Sequence, residues 1–255
     1  MRTPLSCLLG WLTLYGLALP ADQALKPDLP RVLLVGDSIR LGYAATVEKE
    51  LAGRAIVLSP KANGGDSSNV LKNLDEWVIR QRPDVVHFNC GIHDTKKSKT
   101  TGQFQVPPEQ YEANLRKIVD RIRQETKATV LFATSTPILD ERAAKARSKV
   151  DYELLDASIE QYNRIACKLM EELQVPVNDL HAVLPDAETR ARLMTADGVH
   201  FVPEGSRLLG KAVATMIAKH LPSGAGRPIP ARRFRLLASP SPRPSRYPLC
   251  SATTW

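Results

Sequence analysis

Three side chains hold the parts for nucleophilic acyl transfer: Ser38 and, far downstream of it, Asp197 and His200. A serine hydroxyl attacks a carbonyl when a base takes its proton. A histidine serves as that base when a carboxylate fixes its tautomer and stabilises the imidazolium that forms. Ser38 closes the run Val32-Leu33-Leu34-Val35-Gly36-Asp37-Ser38, an apolar strand pattern that stops on a small polar turn. Far downstream, Asp197-Gly198-Val199-His200 sets a carboxylate three residues before an imidazole, so the two can meet across one turn. Gly198 lets that turn close without steric cost. Alone, the Asp-His pair would read as a helix cap for the segment starting near Pro203 beside a core histidine. In the company of Ser38 and the glycine-rich turns below it reads as a base and its orienting acid. His87, His181 and His220 show no such company and are taken as structural.

These residues need a scaffold that brings them together. Short β-rich runs at 31–35, 55–59, 85–89, 129–134 and 175–177 alternate with helical patterns at 41–51, 69–80, 108–126, 151–173 and 204–220. In the third helix Tyr111, Leu115, Ile118, Val119 and Ile122 share one stripe behind prolines suited to a helix start. The fourth places Leu155, Tyr162, Ile165, Ala166 and Leu169 on one face, and the last does so with Leu208, Leu209, Ala212, Val213 and Ile217. Continuous apolar strands alternating with amphipathic helices predict a doubly wound α/β domain, a parallel sheet covered on both faces. Ligands gather at the carboxyl ends of such strands. Every polar cluster of interest falls there: Gly36-Asp37-Ser38, 63–68, 91–94 and 134–137.

A second Gly-Asp-Ser, at Gly65-Asp66-Ser67, shows how weak that tripeptide is by itself. Ser38 stands between a strand and a helix, beside the positive end of a helix dipole, whereas Ser67 fits a loop. With that distinction made, the chain resembles the SGNH, or GDSL, hydrolase family in four blocks in order. Gly36-Asp37-Ser38 matches the block of the nucleophile, and Asn63-Gly64-Gly65-Asp66-Ser67 the block of a glycine N–H donor, placed at Gly65. Gly91-Ile92-His93-Asp94 stands where the family has Gly-x-Asn-Asp, and Asp197-x-x-His200 matches the last block. The resemblance runs from about Arg31 to Leu221. It implies a flavodoxin-like three-layer sandwich with a five-stranded parallel sheet and a Ser38–His200–Asp197 triad. It also implies an oxyanion hole made by the N–H groups of Ser38 and Gly65 and a side chain at position 93. Asp37 and Asp94 are the supporting carboxylates of their blocks.

His93 is the departure. An asparagine amide is always a neutral donor, whereas a histidine nitrogen donates only in the right tautomer or when protonated. Asp94 is the adjacent group expected to hold the ring in a donating form, and Asn63 and Asn89 are amides that could replace it. The same departure leaves open a catalytically weakened or silent carbohydrate-binding protein on this fold.

The remaining sequence bounds the setting. Residues 1–21 combine a basic start with an uncharged apolar run from Leu5 to Leu19, shorter than the roughly 20 residues of a spanning helix. They read as a signal peptide cut after Ala21, giving a secreted or periplasmic protein without a stable membrane anchor. Residues 22–30 form a linker and 31–221 the hydrolase domain. The chain has a net charge of +8, but the segment 222–255 carries six arginines and no acidic residue, which leaves the body nearly neutral. That Pro/Ser/Arg-rich stretch reads as a disordered basic tail. Without interleaved aromatics it gives no reason to expect nucleic acid. Cys90, Cys167 and Cys250 fit neither a zinc site nor a disulfide framework, so no metal, cofactor or obligatory bridge is expected. The substrate is a small-molecule or polysaccharide ester. The polar segments 95–106 and 140–149, both after strands at the active-site end, favour a polar ester such as an acetylated saccharide over the lipid or thioester of a lysophospholipase- or thioesterase-type enzyme.

Overall fold

β1 (Arg31–Val35) shows how the sheet builds two cores at once. Successive side chains of a strand point to opposite faces, and Val32 and Leu34 enter one apolar cluster while Leu33 and Val35 enter the other. The computed structural model describes residues 29–222. The signal segment expected at 1–21, most of the 22–30 linker, the basic tail from 223 onward and Cys250 lie outside those residues.

After β1 come α1 (Ser38–Glu50), β2 (Ile56–Leu58), α2 (Ser67–Lys72), α3 (Leu74–Trp77), β3 (Val85–Phe88) and β4 (Lys97–Ser98). There follow α4 (Pro108–Glu125), β5 (Thr129–Ala133), α5 (Asp140–Ala146), β6 (Tyr152–Glu153) and α6 (Asp156–Glu172). The described elements close with β7 (Val177–Asn178), α7 (Ala187–Leu193) and α8 (Pro203–Ala218). The main sheet has five strands in the order β2-β1-β3-β5-β7, every pair parallel. The expected flavodoxin-like α/β sandwich is therefore present, with its change of winding between β1 and β3. One face is covered by α1 and α8 through Tyr43, Val47, Leu209, Val213 and Ile217. The other is covered by α4 and α6 through Leu115, Ile118, Ile122, Tyr162 and Leu169.

Several elements differ from the sequence expectation. α1 starts at Ser38 rather than at 41, because the Asp37 carboxylate accepts from Ile39 N–H at 2.9 Å and caps the helix directly after β1. The single helix expected over 69–80 is broken at Asn73, and a 3₁₀ turn (Ile79–Gln81) follows α3. The helix expected from 151 begins at Asp156, because Tyr152 and Glu153 pair antiparallel with Ser98 and Lys97. Leu155 consequently sits at the cap, not in the buried stripe. Leu208 faces solvent. Gly205, Leu209 and Gly210 take the buried positions of α8 instead. The charged segment 140–149 contains a helix, α5.

Candidate active site

Ser38 is the first residue of α1, where a helix leaves N–H groups without intrahelical acceptors. Its Oγ lies 2.8 Å from His200 Nε2, and His200 Nδ1 lies 2.5 Å from Asp197 Oδ2. Asp197 Oδ1 accepts from Thr195 Oγ1 at 2.6 Å and from the N–H groups of Val199 and His200, each at 3.0 Å. Partial burial pushes the Asp197 carboxyl up, but the bonds from Thr195, His200 and the backbone outweigh it and hold the group well below the ordinary carboxylate range. An ionised Asp197 keeps the His200 proton on Nδ1, which leaves Nε2 free to accept from Ser38. Asp197 does not cap α8, which begins at Pro203 behind Val202 with no side-chain cap.

The Asp197–His200 turn is the tip of a short hairpin closed by a bridge between Met194 and Phe201. Helix α5 braces it from below: Arg142 donates to Met194 O at 2.9 Å, Arg147 to Asp197 O at 2.9 Å, and Leu139 N–H to Gly198 O at 2.9 Å. Gly198 has φ +72°, and a Cβ there would lie 2.6 Å from both Leu139 O and Ala143 N, so the turn needs glycine for shape and for space. The charged segment after β5 thus holds the Asp-His turn, a role its composition alone does not reveal.

The loop after β2 is fastened to the Ser38 turn. Gly64 N–H donates to Gly36 O at 2.9 Å, and a Cβ on Gly64 would sit 2.7 Å from that oxygen, too close for any side chain. Buried Arg40 donates to Ser59 Oγ and to the carbonyls of Pro60, Gly36 and Ala62 at 2.6–3.0 Å. Gly65 N–H, the expected oxyanion donor, points to Asn63 Oδ1 at 2.9 Å. Asn63 thus engages the glycine donor through its carbonyl oxygen. Asn89 is buried, with its Oδ1 against Gly36.

His93 follows β3, on the other side of the winding change from Ser38. Asp94 does not hold its ring. The Asp94 carboxylate turns inward and accepts from Ser67 N–H and Ser67 Oγ, while Asn114 donates to that hydroxyl. Burial pushes Asp94 up to about 7 against the lowering effect of the Ser67 bonds. Ser67 is buried in this bolt, and it is the first residue of α2 rather than the loop position expected for it, because Asp66 caps a helix there by accepting from Asn69 N–H. The group on the His93 ring is Lys96, whose Nζ lies 3.0 Å from Nδ1. Burial, and after it the Lys96 charge, bring His93 down to about 4. Asp37 is buried and held up by desolvation, against the pull of the Ile39 N–H and of His200 and Arg40.

Among the other histidines, His87 contacts Asn178, His181 lies near Asp156, and His220 meets Met216 O. Asp156, Glu160 and His181 bring ligand-type atoms within 4.8 Å of one another. Arg190 already pairs with Asp156 at 2.8 Å, and Ile138 N–H donates to its other oxygen, so that carboxylate is spoken for. Thr195, Arg142, Arg147, Arg40 and Lys96 are the site residues that sequence patterns missed. Only the three-residue spacing from His93 to Lys96 left a local trace.

The family model described as GDSL-like lipase/acylhydrolase matches residues 34–208. A GDSL esterase/lipase, WDL1, from Oryza sativa subsp. japonica is 25% identical over 204 residues, covering 75% of this chain and 78% of that one. The crystal structure of a lipase/acylhydrolase from Enterococcus faecalis aligns with a TM-score of 0.63 at 24% identity, over 77% of this chain and 100% of that one. An acetylxylan esterase from Geobacillus stearothermophilus aligns with a TM-score of 0.58 at 22% identity, over 74% and 94%. At these identities the two structures establish a shared fold.

Proposed function

The chain belongs to the GDSL-like lipase/acylhydrolase family and is an ester-bond hydrolase, and from that premise we propose that it removes short acyl groups, acetyl on a carbohydrate foremost, through an acyl-enzyme on Ser38. The observation that carries this reading is the unbroken chain from Ser38 Oγ to His200 Nε2 and from His200 Nδ1 to Asp197 Oδ2. In the first half-reaction Ser38 Oγ bonds to the ester carbonyl carbon while His200 Nε2 takes its proton. The carbonyl electron pair moves onto oxygen. Collapse of the tetrahedral adduct breaks the bond to the alcohol, which leaves with the proton from His200. In the second half water replaces the alcohol: His200 takes its proton, the acyl carbon passes to water oxygen, and Ser38 regains its hydrogen. Asp197 stabilises the imidazolium in both halves. The oxyanion is held by Ser38 N–H, Gly65 N–H and the His93 ring, and Gly65 must exchange Asn63 for the oxyanion when substrate binds.

A polar substrate fits the rim. Lys96, Ser98, Gln103, Gln105 and Asp151, together with the rings of Phe104 and Tyr152, line a pocket that reaches His93 through Lys96. An acetylxylan esterase is among the proteins of similar fold, and its activity supports the choice of acetyl saccharides. The export reading rests on the pattern of residues 1–21, and N-terminal sequencing of the secreted product tests it. The substrate reading is tested with acetylated xylo-oligosaccharides, short- and long-acyl esters, a lysophospholipid and a thioester, each beside Ser38→Ala. Turnover highest on acetyl esters and absent in the variant is the expected result. Preference for long acyl chains would transfer the reading to a lipid hydrolase, and no turnover of any ester would mean a binding protein.

A further inference from the structure

We propose that Lys96 is a positioning residue that fixes His93 as a neutral imidazole with its proton on Nε2, so that the ring donates to the oxyanion as an amide would. This rests on the reading of His93 as an oxyanion donor. An ammonium has only protons to give, so the 3.0 Å contact from Lys96 Nζ uses the lone pair of His93 Nδ1. The single proton of the neutral ring then belongs on Nε2. Among the described residues nothing accepts a hydrogen bond from Nε2, which leaves that donor for substrate.

The cation does two things at once. It draws electron density out of the ring through Nδ1, which makes Nε2–H a stronger donor. It also opposes a second proton on the ring, so that His93 does not become a cation beside His200 just as His200 takes the Ser38 proton. A neutral imidazole used as an electrophile in this way has general precedent. The charged and titratable groups that face His93 are Lys96, Asp66 at the start of α2, and His200. Burial is the largest influence on the ring, Lys96 and His200 add to it, and Asp66 opposes them. Asp94, although adjacent, is committed to Ser67.

Lys96 is itself held in place. Its backbone N–H donates to His93 O at 3.3 Å, and its carbonyl accepts from Gln105 N–H at 2.7 Å. Its Nζ stands 5.1 Å over the Tyr152 ring. The small β4–β6 pair thus supports a cation over the ring, a mechanical reason for a second sheet at the rim.

The test uses the full chain as wild type and as Lys96→Met, His93→Ala, His93→Asn and the His93→Asn/Lys96→Met double variant. Two-bond ¹H–¹⁵N spectra report which ring nitrogen carries the proton. In the wild type His93 is expected to stay neutral with Nε2–H from about pH 8 to about pH 5. In Lys96→Met it should take up a proton at a higher pH than in the wild type, still below the ordinary ~6.5 because burial persists, and divide between tautomers above that. Lys96→Met should lower kcat roughly three- to tenfold, a fraction of the ~10²–10³ that a whole oxyanion donor carries, with KM little changed. That loss should vanish in the His93→Asn background. An unaltered ring spectrum in Lys96→Met, an equal loss in the His93→Asn background, or a rise in KM alone would overturn the proposal. Wild-type kcat in His93→Ala would overturn the oxyanion reading beneath it, whatever the spectrum shows.

Discussion

As the proposed oxyanion donor, His93 can be tested in one replaceable ring. An oxyanion donor acts in the transition state and not in the ground state, so its removal should depress kcat and spare KM. His93→Ala is expected to lower kcat by roughly 10²–10³, equivalent to about 3–4 kcal/mol, and His93→Asn to restore most of it. Steady-state kinetics on an acetyl ester reads this directly, and equal rates in all three proteins would make the ring a bystander. Ser38, Asp197 and His200 were legible because each role needs one residue type at a place local patterning reveals: a strand end, or a three-residue spacing. The partner of His93 was not. Adjacency suggests Asp94, but neighbouring residues on a turn point apart, and the ring meets the residue three further on. Thr195 escaped notice because a lone threonine carries no sign of the carboxylate it will bond.

Elements that position the site divide by how they are made. The strands and the long helices α4, α6 and α8 follow from period and apolar content, and the bounds lie close to the expected ones except at the start of α6, which the β4–β6 pairing displaces. The β4–β6 pair and α5 do not, since polar segments become ordered here by partners remote in sequence. Arg40 shows the same dependence: one guanidinium on α1 satisfies three carbonyls and a hydroxyl around the loop that carries Gly65. Arg40→Met should cost about 2–4 kcal/mol in urea unfolding, because buried acceptors lose their donor, and kcat should fall as well. Loss of stability with full activity would mean that the loop holds its shape without the clamp.

Strand β3 supplies a pH test. His87 is wholly buried, and burial lowers its pKa from 6.5 to about 4. Between those values the unfolded chain binds a proton that the native ring refuses, so this contribution is full above about pH 6.5 and is lost as pH falls toward 4. His93 acts with the same sign. Asp94 acts with the opposite sign, because its native carboxyl keeps a proton that the unfolded chain releases. Comparing wild type with His87→Leu isolates the one group. Across about pH 5–6 the variant's stability should rise less steeply, by up to about 1.4 kcal/mol per pH unit. Parallel curves would show that His87 is charged in the folded protein.

For the whole molecule, the strand order brings separate blocks to one edge: β1 and β3 are neighbours at the change of winding, so Ser38 and His93 follow adjacent strands at the carboxyl edge of the sheet, where ligands of such folds collect. Alternation of strands and helices predicts a parallel sheet but does not order its strands; the four-block resemblance supplies that order, and the structure bears it out. Ser38 as the nucleophile is the centre of the proposed function. A fluorophosphonate probe followed by peptide mapping tests it most directly. The account predicts one adduct, on the peptide carrying Ser38, lost in Ser38→Ala together with about 10⁴–10⁶ of turnover. An adduct on Ser67, or a Ser38→Ala protein that hydrolyses esters at the wild-type rate, would contradict it.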